Sequence, residues 1–439
     1  MKDSPQKNQE IELYKTRIFP SDDKMQSAFL KLSNRPRSSN GTKLNQHRLI
    51  HLSSSDTPNK TPFDYQRELI RGALSAVRAG RRRQMLSMPT GAGKTATAVW
   101  LIHELILELG LIRVLWLAPS TELVKQAADA FAQTWSAKMP DASLEIHDIT
   151  STAANPDAIH IAVTTIQQLL HRRHAVQAFS PQVVVFDEAH QAAAPRFRQA
   201  LEQAVNVDSA VLIGLSATPG RGNSSELFDL SILFDEQLAV PAILGPRPID
   251  YLRSIGVYAS INFDTIDLGV SADYLSVSDR EQHLPTHELC SHPKRFWPTI
   301  DRIAAATQQA PIIVFASSVV HSYAIQVALA NRRIRSRTLS YRTPSATREE
   351  IIRLFKAGEL LVLLNVAILN TGFDFPELSQ VAVTAPVRSS VLWEQIVGRV
   401  ARGPAVGGTK QATVYQVDRH DIIHGQLQSY ARFWGGSWN

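Results

Sequence analysis

From residue 61 onward, short runs of β-branched and apolar residues alternate with longer stretches in which apolar residues recur at helical spacing. Arg113–Ala118, Ile159–Thr164, Val183–Phe186 and Ala210–Leu215 are such runs, bounded by polar turns. They read as strands buried on both faces of a parallel sheet. Thr95–Leu109 and Glu122–Phe131 read as helices between them. The alternation predicts a doubly wound α/β lobe over residues 61–233. Gly and Pro clusters (Pro219-Gly-Arg-Gly222, Pro241, Gly245-Pro-Arg-Pro248) then break the rhythm, and 234–290 reads as a connector. A second α/β series fills 291–439, with strands expected at Ile312–Phe315, Arg337–Ser340, Leu360–Asn365, Val381–Thr384 and Thr413–Val417. Helices are expected there over His321–Ala330, Thr347–Ala357 and Ser390–Val400. Residues 1–60 are polar and lack sustained periodicity, so they read as largely disordered, with one helix around Lys24–Leu32.

The 439 residues are 44% hydrophobic, enough for two cores. A net charge of +6 agrees with a polyanionic partner, and the excess is local. Residues 1–84 hold about 17 Lys and Arg against about 8 Asp and Glu, including Arg81-Arg-Arg83, which leaves the remainder slightly acidic. The single cysteine, Cys290, excludes an internal disulfide framework and suits a reducing cytoplasm. No apolar run is long enough to span a membrane, and the polar N-terminus does not read as a secretory signal.

Short motifs then change the picture. Pro89, Thr90, Gly91, Ala92 and Gly93 lie between an apolar segment and a helix that Lys94 and Thr95 open, the context of a phosphate-cradling loop, with Met88 where a strict pattern begins on Gly. Its glycines let N–H groups turn toward phosphates, Lys94 reaches the β- and γ-phosphates, and Thr95 ligates magnesium. Asp187 and Glu188 follow the run Val183–Phe186, so both carboxylates emerge at a strand's carboxyl end. Asp187 is expected to hold magnesium and Glu188 to act as general base on water. Gln395, Arg399 and Arg402, spaced four and three apart, are expected on one face of one helix, with the arginines as fingers on a γ-phosphate. Phe63 and Gln66 suit an adenine, by stacking and by a bidentate amide.

In this order, with Ala118-Pro-Ser-Thr-Glu122, Ser216-Ala-Thr-Pro219 and Gly372-Phe-Asp374, the chain resembles a superfamily 2 helicase of the DEAD/DEAH kind. It is most similar to the bacterial branch of RadD-like and UvsW-like repair helicases and restriction-enzyme motor subunits, over residues 61–425. The resemblance implies two tandem RecA-like lobes with an ATP cleft between them. It implies that Ser216 and Thr218 link hydrolysis to the nucleic-acid track and that Gly372 and Asp374 line the nucleotide cleft. Ser120, Thr121, Thr164, Thr165, Ser317 and Thr343 match positions on the sugar-phosphate backbone. Tyr341 stands where the family has a glycine, and Asn370-Thr371 replace a usual Thr/Glu pair.

The expected function is an ATP- and magnesium-dependent motor on nucleic acid, DNA before RNA, in repair or phage defence, with protein partners supplying specificity. A translocase that remodels duplexes without separating strands, a slow nucleotide-gated clamp and an RNA helicase are the alternatives. His283, His287, Cys290 and His292 cluster in the connector, but Pro285 and the lack of a second Cys favour a polar linker over a metal site. His171 and His174 flank Arg172-Arg173 and read as a basic loop after a helix, with phosphate contact as the alternative, while Trp434 and Trp438 read as a cap on the second lobe or a docking point for a partner, with base stacking as the sharper alternative.

Overall fold

The computed structural model describes residues 5–34, 61–138, 144–149, 158–205, 209–219, 224–266, 286–366, 375–387, 389–417, 436 and 438. They fall into two compact units. The first lobe holds the described residues from 61 to 254 with Gly436 and Trp438; the second holds 5–34 with the described residues from 255 to 417.

The first lobe is a 7-stranded sheet in the order β3-β4-β2-β5-β6-β1-β7, every pair parallel. Its strands are β1 (Arg83–Ser87), β2 (Arg113–Ala118), β3 (Leu144–Asp148), β4 (Ile159–Thr165), β5 (Val183–Asp187), β6 (Val211–Ser216) and β7 (Leu238–Ala239). Val183, Val184 and Val185 are fully buried, as both-face burial of an apolar run requires. Three adjacent strands matter most. Ser87 of β1 pairs with Ser216 of β6, and Asp187 of β5 with Leu215 of β6. That register brings the phosphate loop after β1, the carboxylates after β5 and Ser216 to one level at the carboxyl edge.

Around this sheet lie α3 (Asp64–Arg78), α4 (Lys94–Leu109), α5 (Thr121–Lys138), α6 (Ile166–Phe179), α7 (Pro195–Ala204), α8 (Ser224–Leu233) and α9 (Pro248–Ser254). The basic loop expected at 171–174 is instead inside α6, which continues across a kink at Arg172 (φ −118°, ψ 19°). The Arg172 guanidinium pairs there with Asp148 at the end of β3, a partner the local pattern does not reveal. Trp438 also differs from expectation. It packs against the buried core of the first lobe. Trp434 lies outside the described residues.

The second lobe is a 6-stranded parallel sheet, β10-β11-β9-β12-β13-β8. It comprises β8 (Ser260–Thr265), β9 (Ile312–Phe315), β10 (Ser336–Leu339), β11 (Val362–Asn365), β12 (Gln380–Val383) and β13 (Gln411–Gln416). The stretch read as a connector therefore supplies an edge strand to each sheet: β7 beside β1, and β8 along all of β13. Helices α10 (Thr286–Cys290), α11 (Pro293–Ala306), α12 (Val319–Asn331), α13 (Ser345–Lys356) and α14 (Ser390–Val400) complete the series.

The N-terminal segment corrects the sequence reading. Two helices form, α1 (Pro5–Ile18) and α2 (Asp23–Ser33), and residues 35–60 lie outside the described set. Ile11, Tyr14 and Ile18 share one face of α1 and are buried with Phe19 and Phe29 against Phe296 and Ile300 of α11. Asp22 caps α2 by accepting the Met25 N–H at 2.8 Å. The apolar partners sit more than 250 residues away in sequence, so a local pattern of three apolar positions gave little sign of the packing that orders it.

Candidate nucleotide site and track

The phosphate loop turns on two glycines in the left-handed region, Gly91 (φ 87°) and Gly93 (φ 85°). At Gly93 a Cβ would also lie 2.7 Å from Gln66 Nε2. The loop closes through Ala92 N–H donating to the Pro89 carbonyl at 3.1 Å, and Lys94 and Thr95 then open the 16-residue α4. Their position puts a cation and a hydroxyl in the helix's first turn, where free N–H groups and the dipole favour anions.

α3 braces this loop. Gln66 Oε1 accepts the Phe63 N–H at 3.0 Å, while Nε2 donates to the carbonyls of Ala92 (3.3 Å) and Gly93 (3.5 Å). Tyr65, buried, donates its hydroxyl to Ala92 O at 2.8 Å and stacks on Phe63 with ring centroids 5.8 Å apart. Burial pushes the Tyr65 phenol well above its usual range, which keeps it a donor. Gln66 thus holds the loop, a task the sequence did not assign to it, and Tyr65 is a loop-bracing residue that the sequence reading passed over.

Asp187 and Glu188 sit at the end of β5 as expected. Asp187 is buried; Oδ1 accepts the Glu188 N–H at 3.0 Å, and Oδ2 has no hydrogen-bond partner among the described residues. Burial first, then the Glu188 carboxylate, push the Asp187 pKa up, and the charge of Lys94 opposes that rise. Glu188 occupies the left-handed region (φ 52°, ψ 49°), a strained backbone for this residue type. Its carboxylate lies 3.3 Å from His190 Nδ1, which in turn is 3.4 Å from Ser216 Oγ. Ser216 Oγ accepts the Thr218 N–H at 3.1 Å. A continuous polar line therefore runs from the candidate base to the segment after β6. His190 follows Glu188 by two positions with no local signal of a role; only its approach to Ser216 reveals one.

The candidate track residues divide. Ser120 Oγ accepts the Leu123 N–H at the start of α5, and Thr121 lies half-buried beside it. Thr164 and Thr165 are buried: Thr164 bonds the Gln168 amide at 3.1 Å, and Thr165 caps α6 by accepting the Gln168 N–H. In the second lobe, Ser317 N–H and hydroxyl both face His321 Nδ1, at 3.3 and 2.9 Å. Burial pushes His321 down to about 3, so its ring is a neutral acceptor for both. Thr343 Oγ1 accepts the Ser340 N–H at 3.0 Å.

One expectation fails on geometry. Gln395 and Arg399 lie on α14, but that helix ends at Val400. Arg402 is in an extended bridge opposite Tyr258, so the three residues do not share a helix face. The backbone explains the stop: Ala401 O accepts the Ala259 N–H at 2.8 Å and Gly403 N–H donates to Val257 O at 2.8 Å. A Cβ at Gly403 would lie 2.8 Å from Tyr258 O. Gly372 and Asp374 fall outside the described residues, as does His283. His287 and the buried Cys290 lie on α10, followed by His292, and Cys290 Sγ faces Thr384 O. Among the described residues no cluster of His, Cys, Asp and Glu could hold a metal ion by their own number. No described helix is long and apolar enough to cross a membrane.

Two parallel α/β lobes, one bearing a phosphate loop beside a strand-end carboxylate pair, define a P-loop nucleoside-triphosphatase of tandem RecA-like build. Comparison with known proteins makes this narrower. Residues 59–221 match the family model "Type III restriction enzyme, res subunit", and 298–404 match "Helicase conserved C-terminal domain". The chain is 25% identical over 350 residues to the putative ATP-dependent helicase IRC3 of Saccharomyces cerevisiae, covering 77% of this chain and 49% of that one. It is 31% identical over 173 residues to the type I restriction enzyme EcoAI endonuclease subunit of Escherichia coli, covering 37% and 20%. A DNA-bound type ISP restriction-modification enzyme, LlaBIII, has the same fold at TM-score 0.59 and 16% identity, over 87% of this chain and 30% of that one. S. cerevisiae Dbp5 bound to RNA and ADP BeF3 matches at TM-score 0.52 and 17% identity, over 84% and 91%. Residues 59–221 and 298–404 are thus the two domains of a superfamily 2 helicase. It spans about half the length of the curated IRC3 relatives it matches.

Proposed function

We propose that this chain is an ATP-driven motor that moves on nucleic acid, preferably DNA, and couples hydrolysis to closure of its two lobes. The observation that carries the reading is the line Glu188–His190–Ser216–Thr218, which ties the candidate base to a neighbouring strand end. ATP phosphates lie on the first turn of α4, with Lys94 on the β- and γ-phosphates. Glu188 orients the attacking water and takes its proton. Thr95 and Asp187 would hold magnesium, and the buried Asp187 Oδ2, without a hydrogen-bond partner among the described residues, fits that duty. The ion, when bound, supplies charge neutralisation to the transferring phosphate. Gln395, Arg399 and Arg402 engage the γ-phosphate on closure, and Gly372 and Asp374 line the same cleft. Phe63 and Gln66 favour adenine.

Ser120, Thr121, Thr164, Thr165, Ser317 and Thr343 form the backbone track; hydroxyls and helix N-termini read phosphate, not base sequence. The restriction-enzyme relatives are subunits and LlaBIII is bound to DNA, which supports DNA as the polymer and action with protein partners; that these partners supply specificity and that the chain acts in defence or repair belong to the same proposal. A reducing cytoplasm is the proposed setting. The test is the ATPase rate without polymer, then with single-stranded, duplex and forked DNA and with RNA, using Glu188→Gln as the blank. Stimulation of tenfold or more (roughly, by the worth of finger-type residues) by a DNA is expected. A rate that no polymer changes overturns the motor and leaves a nucleotide-gated clamp.

A further inference from the structure

Tyr341 is 61% exposed, a large aromatic with no part in either core. It sits in the turn after β10, the edge strand at one end of the second sheet, at the carboxyl edge. The turn is tightly built. Thr343 N–H donates to Ser340 O at 2.8 Å, Ser340 N–H to Thr343 Oγ1 at 3.0 Å, and Arg342 N–H to Ser340 Oγ at 3.2 Å, while Ser340 itself is buried. Such a turn needs no aromatic at its second position. The ring is nevertheless held: Arg342 Nε donates to Tyr341 Oη at 3.2 Å, and the guanidinium carbon lies 5.5 Å from the ring centroid. A pinned, outward-facing aromatic with a cation beside it, two residues from a candidate backbone-contacting hydroxyl, is suited to a flat, electron-rich partner attached to a phosphate.

We propose that Tyr341 is a stacking platform for one nucleobase of the bound strand, with Arg342 taking the neighbouring phosphate. This rests on the nucleic-acid reading above and adds a base contact to a track otherwise built for the backbone. Because every base has a π-face, the contact is tolerant of sequence; it grips a strand whose bases are unpaired and cannot reach bases stacked within a duplex.

The probes are single-stranded oligodeoxythymidylate and a strand of the same length with abasic tetrahydrofuran residues throughout, titrated by fluorescence anisotropy against the full chain. Tyr341→Ala should bind the base-bearing strand about tenfold more weakly, and Tyr341→Trp should bind it at least as well as the parent. On the abasic strand the parent should already be weakened, and Tyr341→Ala should weaken it no further. Thermal unfolding midpoints equal to the parent's show that each variant is folded, as an exposed side chain predicts. Unchanged affinity of Tyr341→Ala for the base-bearing strand, or an equal loss on both strands, overturns the stacking role while leaving the track in place. A parent chain that binds neither strand but binds a duplex of the same length overturns the stacking role alone, and one that binds no strand, duplex or RNA overturns the nucleic-acid reading with it.

Discussion

Burial and the Glu188 carboxylate both oppose a negative charge on Asp187, and Lys94 offsets them only in part. The folded, metal-free protein therefore holds this proton more tightly than the unfolded chain does. By linkage, the stability Asp187 contributes is fully present below the ordinary carboxylate value and is lost as pH rises through the raised folded value. A bound cation would reverse that preference by favouring the ionised form. Asp187→Asn should accordingly stabilise the nucleotide-free protein at neutral pH by on the order of 1 kcal/mol while abolishing hydrolysis. Differential scanning calorimetry beside a turnover assay checks both halves, and a destabilised Asp187→Asn variant would mean that the charge is already compensated. At the same scale, Gly93→Ala should collapse nucleotide binding, because the added methyl meets the Gln66 amide at a left-handed position. Retained binding of a fluorescent nucleotide would show that the loop relaxes around it.

Helices α1 and α2 show how an element can be ordered by residues far from it in sequence. Phe29 and Tyr14 are wholly buried, their rings 6.1 Å apart, and Tyr14 stacks on His321 at 5.7 Å. On the other side Ser318, the cap of α12, donates its hydroxyl to the buried Glu10 carboxylate. Truncating Phe29→Ala should cost about 3–5 kcal/mol in the second lobe, measured by denaturant unfolding; a loss under about 1 kcal/mol would show that the helices merely rest on the surface. His321 of α12, on which Tyr14 stacks, gives this packing a pH signature. Its folded pKa is depressed to about 3 by burial, so the unfolded chain binds a proton that the native state refuses. Stability should fall as pH drops below the ordinary histidine range and continue to fall toward that value. His321→Gln should flatten this acid limb. Helix α14 teaches the opposite lesson: its span Ser390–Val400 was legible from apolar spacing, whereas the course of 401–403 beyond it depends on strand-like pairing with 257–259.

Across the whole molecule, what could be read in advance was whatever the local sequence decides. The β5 run of three valines and a phenylalanine is buried on both faces wherever it is placed, and Lys94 must follow a glycine turn to open a helix. The strands β3, β7 and β8 were not legible from sequence, and for β8 the cause is visible. It lies at a sheet edge, with Ser260 and Asn262 to Thr265 all partly or fully accessible, so no unbroken apolar run marks it. Trp438 and the N-terminal helices were misjudged because their partners lie hundreds of residues away. Arg402 was misplaced because the pairing of Gly403 with Val257 is not a periodic signal.

The route of the chain carries a consequence for biogenesis. Helices α1 and α2, which precede the first lobe in the chain, belong to the second lobe, the middle of the chain builds the first, and Trp438 returns to the first after the second sheet. During synthesis α1 and α2 leave the ribosome with their apolar faces uncovered, and they wait until α11 and α12 emerge. A fragment beginning at residue 255 should therefore precipitate or bind a chaperone when expressed alone, and a separate peptide spanning residues 1–34 should rescue its solubility. Equal solubility with and without that peptide would mean that the second lobe completes its core unaided, and that its N-terminal helices are late arrivals to a structure already formed.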